Sequence, residues 1–478
     1  MAYRRTRSDY PTKLIVLPLL LLLSLASCAS TRNTLFIEID EAAQRGAFSE
    51  AAGLVEQQET QLYSDRDRVL FYLDKGMLLH FAGEHQQSFL MLSEAERLIE
   101  EYFTRSISQE AMSLLVNDTQ RNYTGEDFED VYVNVFNALN FLALGDTERA
   151  FVEVRRINNK LNLLEDRYQQ VARGVLQAEE SPDGLPIAPG TNRFYNSALA
   201  RYLSLVMYRA AGNWDSVRID WNGLQLAFQE QSNLYPFPLP LTAQVMVPPS
   251  DTRLSVLAFT GRSPVKFAST LWVITGDDWI TIAFADEREG QGRVLQDFDI
   301  IPFPGVRSGY RFRFEIPRMV TRGSDVDQIR VFANGELLGE LGLLEDIERI
   351  AVDAFQIREP IILLRTATRA VVKGVAAQRA GELAREAGAQ MGTGLGLLLE
   401  LLGPLATAVA VEATEQADLR ISRFFPAFAH VGEWDLPSGE YELIVEYAGN
   451  GAVLGRDNLG VVSVERGQPN VVQSVLKR

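Results

Sequence analysis

A chain of 478 residues, 46% hydrophobic and 23% charged, is ordinary globular material and longer than one core usually organises, so at least two domains are expected. Its net charge of -17 repels phosphate backbones and supplies no basic patch for nucleic acid. A single cysteine, Cys28, excludes a disulfide framework and a thiolate metal cluster, so packing must hold the fold together.

The first segment of note runs into that cysteine. Arg4, Arg5, Arg7 and Lys13 form a positive n-region, and Leu14 to Leu23 an apolar stretch shorter than the ~20 residues of a spanning helix. Leu25-Ala26-Ser27-Cys28 then resembles a lipobox. The resemblance to bacterial lipoproteins implies cleavage after residue 27 and acylation of Cys28, with residues 1–27 as signal peptide. Ala29 is not the aspartate that favours inner-membrane retention in enterobacterial lipoproteins, which implies the outer membrane, periplasmic face. The rival readings are an ordinary signal peptide with an incidental cysteine and an N-terminal transmembrane anchor.

Residues 28–234 read as an all-α domain. A short turn recurs around Gly46, Gly83, Gly145 and Gly212, each followed five residues later by a small or β-branched side chain, namely Ala51, Ser88, Ala150 and Val217. Glycine takes the left-handed conformation that ends a helix, and the small residue lets the next helix pack closely. The pattern resembles the tetratricopeptide repeat, a helix-turn-helix of ~34 residues. Such repeats bind other proteins on a concave face, and Tyr72, Gly76, Leu79, Phe141 and Tyr208 are the candidate groove residues, with burial in the core as the competing role for each. Irregular spacing of the glycines, with insertions at 116–126 and 177–191, breaks a regular superhelix. The acids of Tyr123 to Asp130 suggest either a helix start, where they complement the dipole, or a cation or carboxylate site. His80, His85 and His430 lack metal-ligand spacing and read as surface or groove residues.

Five prolines (236, 238, 240, 248 and 249) mark 235–250 as a linker. Alternating runs follow at 254–259, 270–275, 279–285, 294–300, 310–316 and 329–333, the last entering a hairpin through Asn334-Gly335. Residues 251–478 are thus expected to form an antiparallel β sandwich-like domain with a helical insertion at about 345–420. Within the insertion, the greasy stretch 392–413 holds Glu400 and Pro404, unsuited to a membrane span; it is buried, covered by a partner or a second copy, or membrane-inserted. Trp434 to Glu440 reads as a turn into a strand at 441–447, with closing strands at 460–464 and 471–476.

Several segments together carry a wider resemblance: the lipobox, the acidic stretch before Asn137-Ala138-Leu139-Asn140-Phe141-Leu142, Glu153-Val154-Arg155-Arg156, Ile347 to Lys373, and Ala417-Asp418-Leu419-Arg420 with the later Leu436-Pro437-Ser438-Gly439. They are similar to those of poorly characterised Gram-negative outer-membrane lipoproteins with N-terminal tetratricopeptide-like repeats and a β-rich C-terminal region. The expectation is an α+β multidomain, non-catalytic, lipid-anchored scaffold of the cell envelope that binds envelope proteins through its repeats, with no cofactor and no nucleic acid. An envelope-polymer enzyme using a carboxylate pair is the alternative from another class, since such a pair leaves no linear trace. Self-association through 392–413 is the third.

Overall fold

The computed structural model describes residues 35–110, 116–177, 188–286, 294–391 and 416–478. Cys28, the lipobox residues Leu25, Ala26 and Ser27, and the stretch 392–413 lie outside them. Within them the chain is mixed helix and sheet, helices on the N-terminal side and sheets on the C-terminal side.

The helices are α1 (35–44), α2 (Phe48–Gln57), α3 (Glu59–Leu62), α4 (Arg68–Phe81), α5 (His85–Glu110), α6 (Asp127–Ala143), α7 (Thr147–Leu176), α8 (Ala198–Ala210) and α9 (Trp214–Glu230). The four glycines mark the turns between α1 and α2, α4 and α5, α6 and α7, and α8 and α9. Gly46, Gly83, Gly145 and Gly212 have φ of 79°, 79°, 75° and 69°, the left-handed values a side chain resists. In each turn the N–H after the glycine reaches back to the helix just ended, as when Glu84 N donates to Leu79 O (2.9 Å) and Asp146 N to Phe141 O (2.8 Å). Asp146 and Asn213 then cap α7 and α9 through their side chains. The hairpins pack closely where the sequence supplies small residues. A Cβ on Gly76 would stand 2.7 Å from Leu92 Cδ2 across the α4–α5 contact. Gly76→Ala should therefore destabilise the fold by about 1 kcal/mol in urea denaturation, because overpacking costs roughly 1–3 kcal/mol and helix propensity returns only about 1.

The strands are β1 (Thr252–Thr260), β2 (Val265–Gly276), β3 (Trp279–Asp286), β4 (Val294–Pro302), β5 (Arg311–Val320), β6 (Gln328–Ala333), β7 (Glu336–Glu340), β8 (Gly342–Asp346), β9 (Phe428–Leu436), β10 (Gly439–Gly449), β11 (Ala452–Val464) and β12 (Val471–Leu476). They form three four-stranded sheets, ordered β12-β1-β9-β8, β11-β10-β6-β7 and β4-β3-β2-β5. All pairings are antiparallel except β1 with β12. Asn334 and Gly335 (φ 53° and 83°) make the expected tight turn between β6 and β7. Trp434 lies within β9, paired opposite Leu254, rather than in a turn, because its ring covers Gly432 and Gly339.

β1 is buried along its whole length, and its two faces serve different cores. Leu254, Val256 and Ala258 point into the core shared by the first two sheets, while Leu257 and Phe259 join the helices. That period of two explains why the strand reads as a near-continuous apolar run. The main core takes in α1 to α9, the proline-rich segment through Leu234, Tyr235, Leu241 and Val245, and Ala429 and Val431 of β9. A further core joins the third sheet to α7 and to α10 (Ile347–Met391), which carries Pro360 internally. Among the described residues no helix is long and apolar enough to cross a membrane.

Candidate functional site

Helix α6 is the hub. From Phe128 to Phe141 every residue is buried, so its polar side chains must find partners inside the protein. Its start bears out the helix-start reading of the acidic segment. Glu126 is the N-cap and Glu129 the third residue, and together they form a capping box. The same turn also borders an interior cavity of about 130 Å³, lined by charged side chains from the 118–126 loop, α7, β2, α10 and residues 418 and 420 and by Ile99 and Phe103 of α5.

Around this cavity the acids are held by cations from distant parts of the chain. Asp130 pairs with Lys160 (2.7 Å) and Arg167 (3.0 Å); burial raises its pKa, but these two charges outweigh it and hold the carboxyl below its usual range. Asp418 pairs with Arg420 (2.7 Å), Asp118 with Arg365, and Glu126 with both Lys266 and Arg358. Among the described residues Asp127 has no such pairing and accepts from the Tyr168 hydroxyl at 2.8 Å, with burial raising its pKa to about 6. Deeper in, Ser422 bridges two further carboxylates, donating its N–H to Glu129 Oε1 (2.6 Å) and its hydroxyl to Asp74 Oδ1 (2.7 Å). Burial pushes Asp74 to about 6 and Glu129 higher still. Acids do gather at one concave place, as a carboxylate-pair enzyme requires, yet Asp118, Glu126, Asp130 and Asp418 are each engaged by a cation.

A second buried stripe of α6 lies beneath a groove. At 3.6 residues per turn Asp130, Asn134, Asn137 and Phe141 share one side of the helix. Above them α5 and α7 flank a groove of about 700 Å³ lined by Phe89, Ser93, Val152 and Phe141 among charged side chains. Asn134 Nδ2 donates to Glu96 Oε1 (2.9 Å) and Glu153 Oε2 (2.7 Å), whereas its Oδ1 finds no partner among the described residues. Asn137 is 0% exposed, and neither its Oδ1 nor its Nδ2 has a partner among them; the Ser93 hydroxyl is in the same position. Ion pairs cross the groove from Glu96 to Lys160 (2.8 Å) and to Arg156 (3.2 Å). Arg156 is 48% exposed, so its pair contributes no more than about 1 kcal/mol and is easily exchanged.

The sequence-expected groove residues are dispersed. Gly76 and Leu79 are buried where α4 packs, and Tyr72 is half-buried beneath Arg68. Phe141 is buried but lines the groove, under the Arg149 guanidinium 4.5 Å from its ring centroid. Tyr208 is half-buried against Phe151, centroids 4.7 Å apart. His80 is not the surface residue expected: it is 3% exposed, edge-on to Phe136, because α4 ends inside the main core. His80 and His85, five apart in sequence, meet across the turn, both Nδ1 atoms directed at Asn140 Oδ1 (2.7 and 2.9 Å). They border a second cavity of about 380 Å³ against β12. Among the described residues no three His, Cys, Asp or Glu side chains are grouped to hold a metal ion. The groove amides carried no signal a linear reading would isolate, since asparagine in a helix most often faces solvent; the cue was an Asn every three to four residues within the apolar run 131–144.

No protein-family model matches the chain, and neither the curated proteins nor the solved structures compared with it give a match.

Proposed function

We propose that this protein is a non-catalytic scaffold of the bacterial envelope, acylated at Cys28, held at the periplasmic face of the outer membrane, and binding a segment of another envelope protein in the groove between α5 and α7. The helical hairpins are read as tetratricopeptide-like repeats and the first two sheets as a sandwich around their shared core. Asn137 carries the proposal. A buried primary amide with three unmet hydrogen-bonding functions, lying beneath a groove, suits a partner's main chain, which offers one N–H and one C=O per residue. The ion pairs of the half-exposed Arg156 are weak enough to open, and Phe89 and Phe141 supply apolar contact.

The test is site-specific photocrosslinking in intact cells. A photoreactive residue at Val152, in the groove, should give one discrete adduct that Asn137→Leu weakens by about tenfold, the loss expected for a buried hydrogen-bonded pair. The same probe at Val461, exposed on β11, serves as control. Equal adducts from both positions, or none from Val152, would remove the groove from consideration. Loss of membrane association in Cys28→Ser checks the anchor separately.

A further inference from the structure

We infer that the interior cavity at the start of α6 is a binding site for a small oxyanion, a carboxylate or phosphate group, held by Lys266 of β2 and Arg358 of α10. Three observations converge on it. First, one carboxylate serves two cations: Lys266 Nζ donates to Glu126 Oε1 while an Arg358 terminal nitrogen pairs with Glu126 Oε2. The Lys266 side chain is 3% exposed and that of Glu126 equally so, which leaves one positive charge of the three groups out of reach of water. Of the other acids lining the cavity, Asp418 is engaged by Arg420, Asp118 by Arg365 and Asp130 by Lys160 and Arg167, while Asp127 accepts from Tyr168; in the lining as a whole six cations stand against five acids, an excess of one positive charge. An uncompensated buried charge is strongly unfavourable, and a bound anion removes that penalty.

Second, the donors are not exhausted. Arg358 Nε is buried and has no acceptor among the described residues, and Arg358 is one of the residues that line the cavity. Lys266 spends its second donor on the Arg420 carbonyl (2.8 Å), a neutral acceptor that an anionic oxygen would outcompete. Third, there is room. A water needs roughly 10–15 Å³ of such space, so about 130 Å³ holds a cluster of waters or one small ligand of several heavy atoms. The lining favours an anion by that one charge: its guanidinium and ammonium groups, from the 118–126 loop, α7, β2, α10 and residue 420, outnumber its carboxylates. Burial draws the Lys266 ammonium below its ordinary pKa even against the attraction of Asp418 and Glu129, a direction that an added negative charge would reverse. The site meets the outer groove at Asp130 and requires no partner protein.

Isothermal titration calorimetry on the full mature chain, with inorganic phosphate and acetate added at constant ionic strength against a chloride blank, tests it. One equivalent of phosphate or acetate should bind. Arg358→Gln should weaken it by about tenfold, as loss of a charge-assisted hydrogen bond does, while Lys266→Arg, which keeps the charge, stays within about threefold. Arg466→Gln, exposed between β11 and β12, should leave the affinity unchanged. Circular dichroism confirms that each variant is folded; if Arg358→Gln unfolds, the Lys266→Met variant takes its place with the same expected loss. Absence of heat with both anions overturns the inference, as does an equal loss in Arg358→Gln and Arg466→Gln. Vesicles of phosphatidylglycerol form the remaining arm. Competition between vesicles and free phosphate assigns the bound group to a lipid headgroup, phosphate binding indifferent to vesicles assigns it to a soluble anion, and vesicle binding without phosphate binding overturns the site.

Discussion

Replacing Glu345 by alanine should destabilise the protein by about 3–5 kcal/mol, the range for removing one member of a buried, fully bonded charged group. Glu345 is 0% exposed at the end of β8 and has no ion-pair partner among the described residues. Its carboxylate is instead surrounded by donors: the hydroxyls of Tyr132 (2.5 Å), Ser197 (3.0 Å) and Tyr235 (2.9 Å), and the Leu199 N–H (2.9 Å). Leu199 stands in the first turn of α8, so the helix dipole favours the charge as well. Alanine would leave four buried donors without an acceptor. Tyr235→Phe, which removes one donor and keeps the ring, should cost only about 1 kcal/mol. Tryptophan fluorescence during urea unfolding compares the two, and a loss for Glu345→Ala no larger than that for Tyr235→Phe would mean that the donors find water.

Acidification gives the second large effect, through His80. Burial, reinforced by the charge of His85, lowers its pKa from 6.5 to about 4. The folded protein thus binds fewer protons at this ring than the unfolded chain between those values. The stability it contributes is complete above pH 6.5 and is lost as pH falls toward 4, amounting to about 2 kcal/mol by pH 5. Asp74 and Asp127 act with the opposite sign. Their pKa values are raised to about 6, so the fold holds protons that the unfolded chain releases, and stability grows as pH falls from 6 toward 3.8. The two trends offset one another in the wild type. In His80→Gln only the carboxylate trend remains, so the variant, although weaker at pH 7.5, should recover about 2 kcal/mol relative to wild type at pH 5. A constant difference between the two proteins across this range would show that His80 titrates as though solvated.

Periodicity made the helices and most strands legible, because 3.6-residue and two-residue repeats are properties of neighbouring side chains. The glycine turns were legible for the same reason: a left-handed helix end is decided within six residues. β8 and β9 were not. Gly342 to Asp346 follows a hairpin without a break, and β9 carries Trp434, Asp435 and Leu436 in an order that suggests a turn until the partner strand β1 is known. The interior cavity was legible on one side only. Glu126, Asp127 and Asp130 stand together in the sequence, but Lys266, Arg358 and Arg420 lie 140 to 294 positions after Glu126 and look like ordinary surface charges in their own segments. Charge pairing at such range is a product of topology, which no local pattern encodes.

The placement of β1 bears on how the chain reaches its folded state. Its neighbours in the sheet are residues 428–436 and 471–476, and its inner face closes the core of helices made long before them. The first hairpins wait on the same late residues: His80 meets Gln473 and Asp74 meets Ser422, 393 and 348 positions further along. A chain made N-terminus first therefore has its helices formed while their inner surfaces are still uncovered. Closure comes only when the final strands arrive, and loop-closure entropy makes such distant pairing slow. During that interval the apolar faces are open to aggregation and proteolysis, so the protein has reason to depend on a holding chaperone. A truncation that removes β12 would act at the far end of the molecule, by keeping the helical half permanently in this unsealed condition.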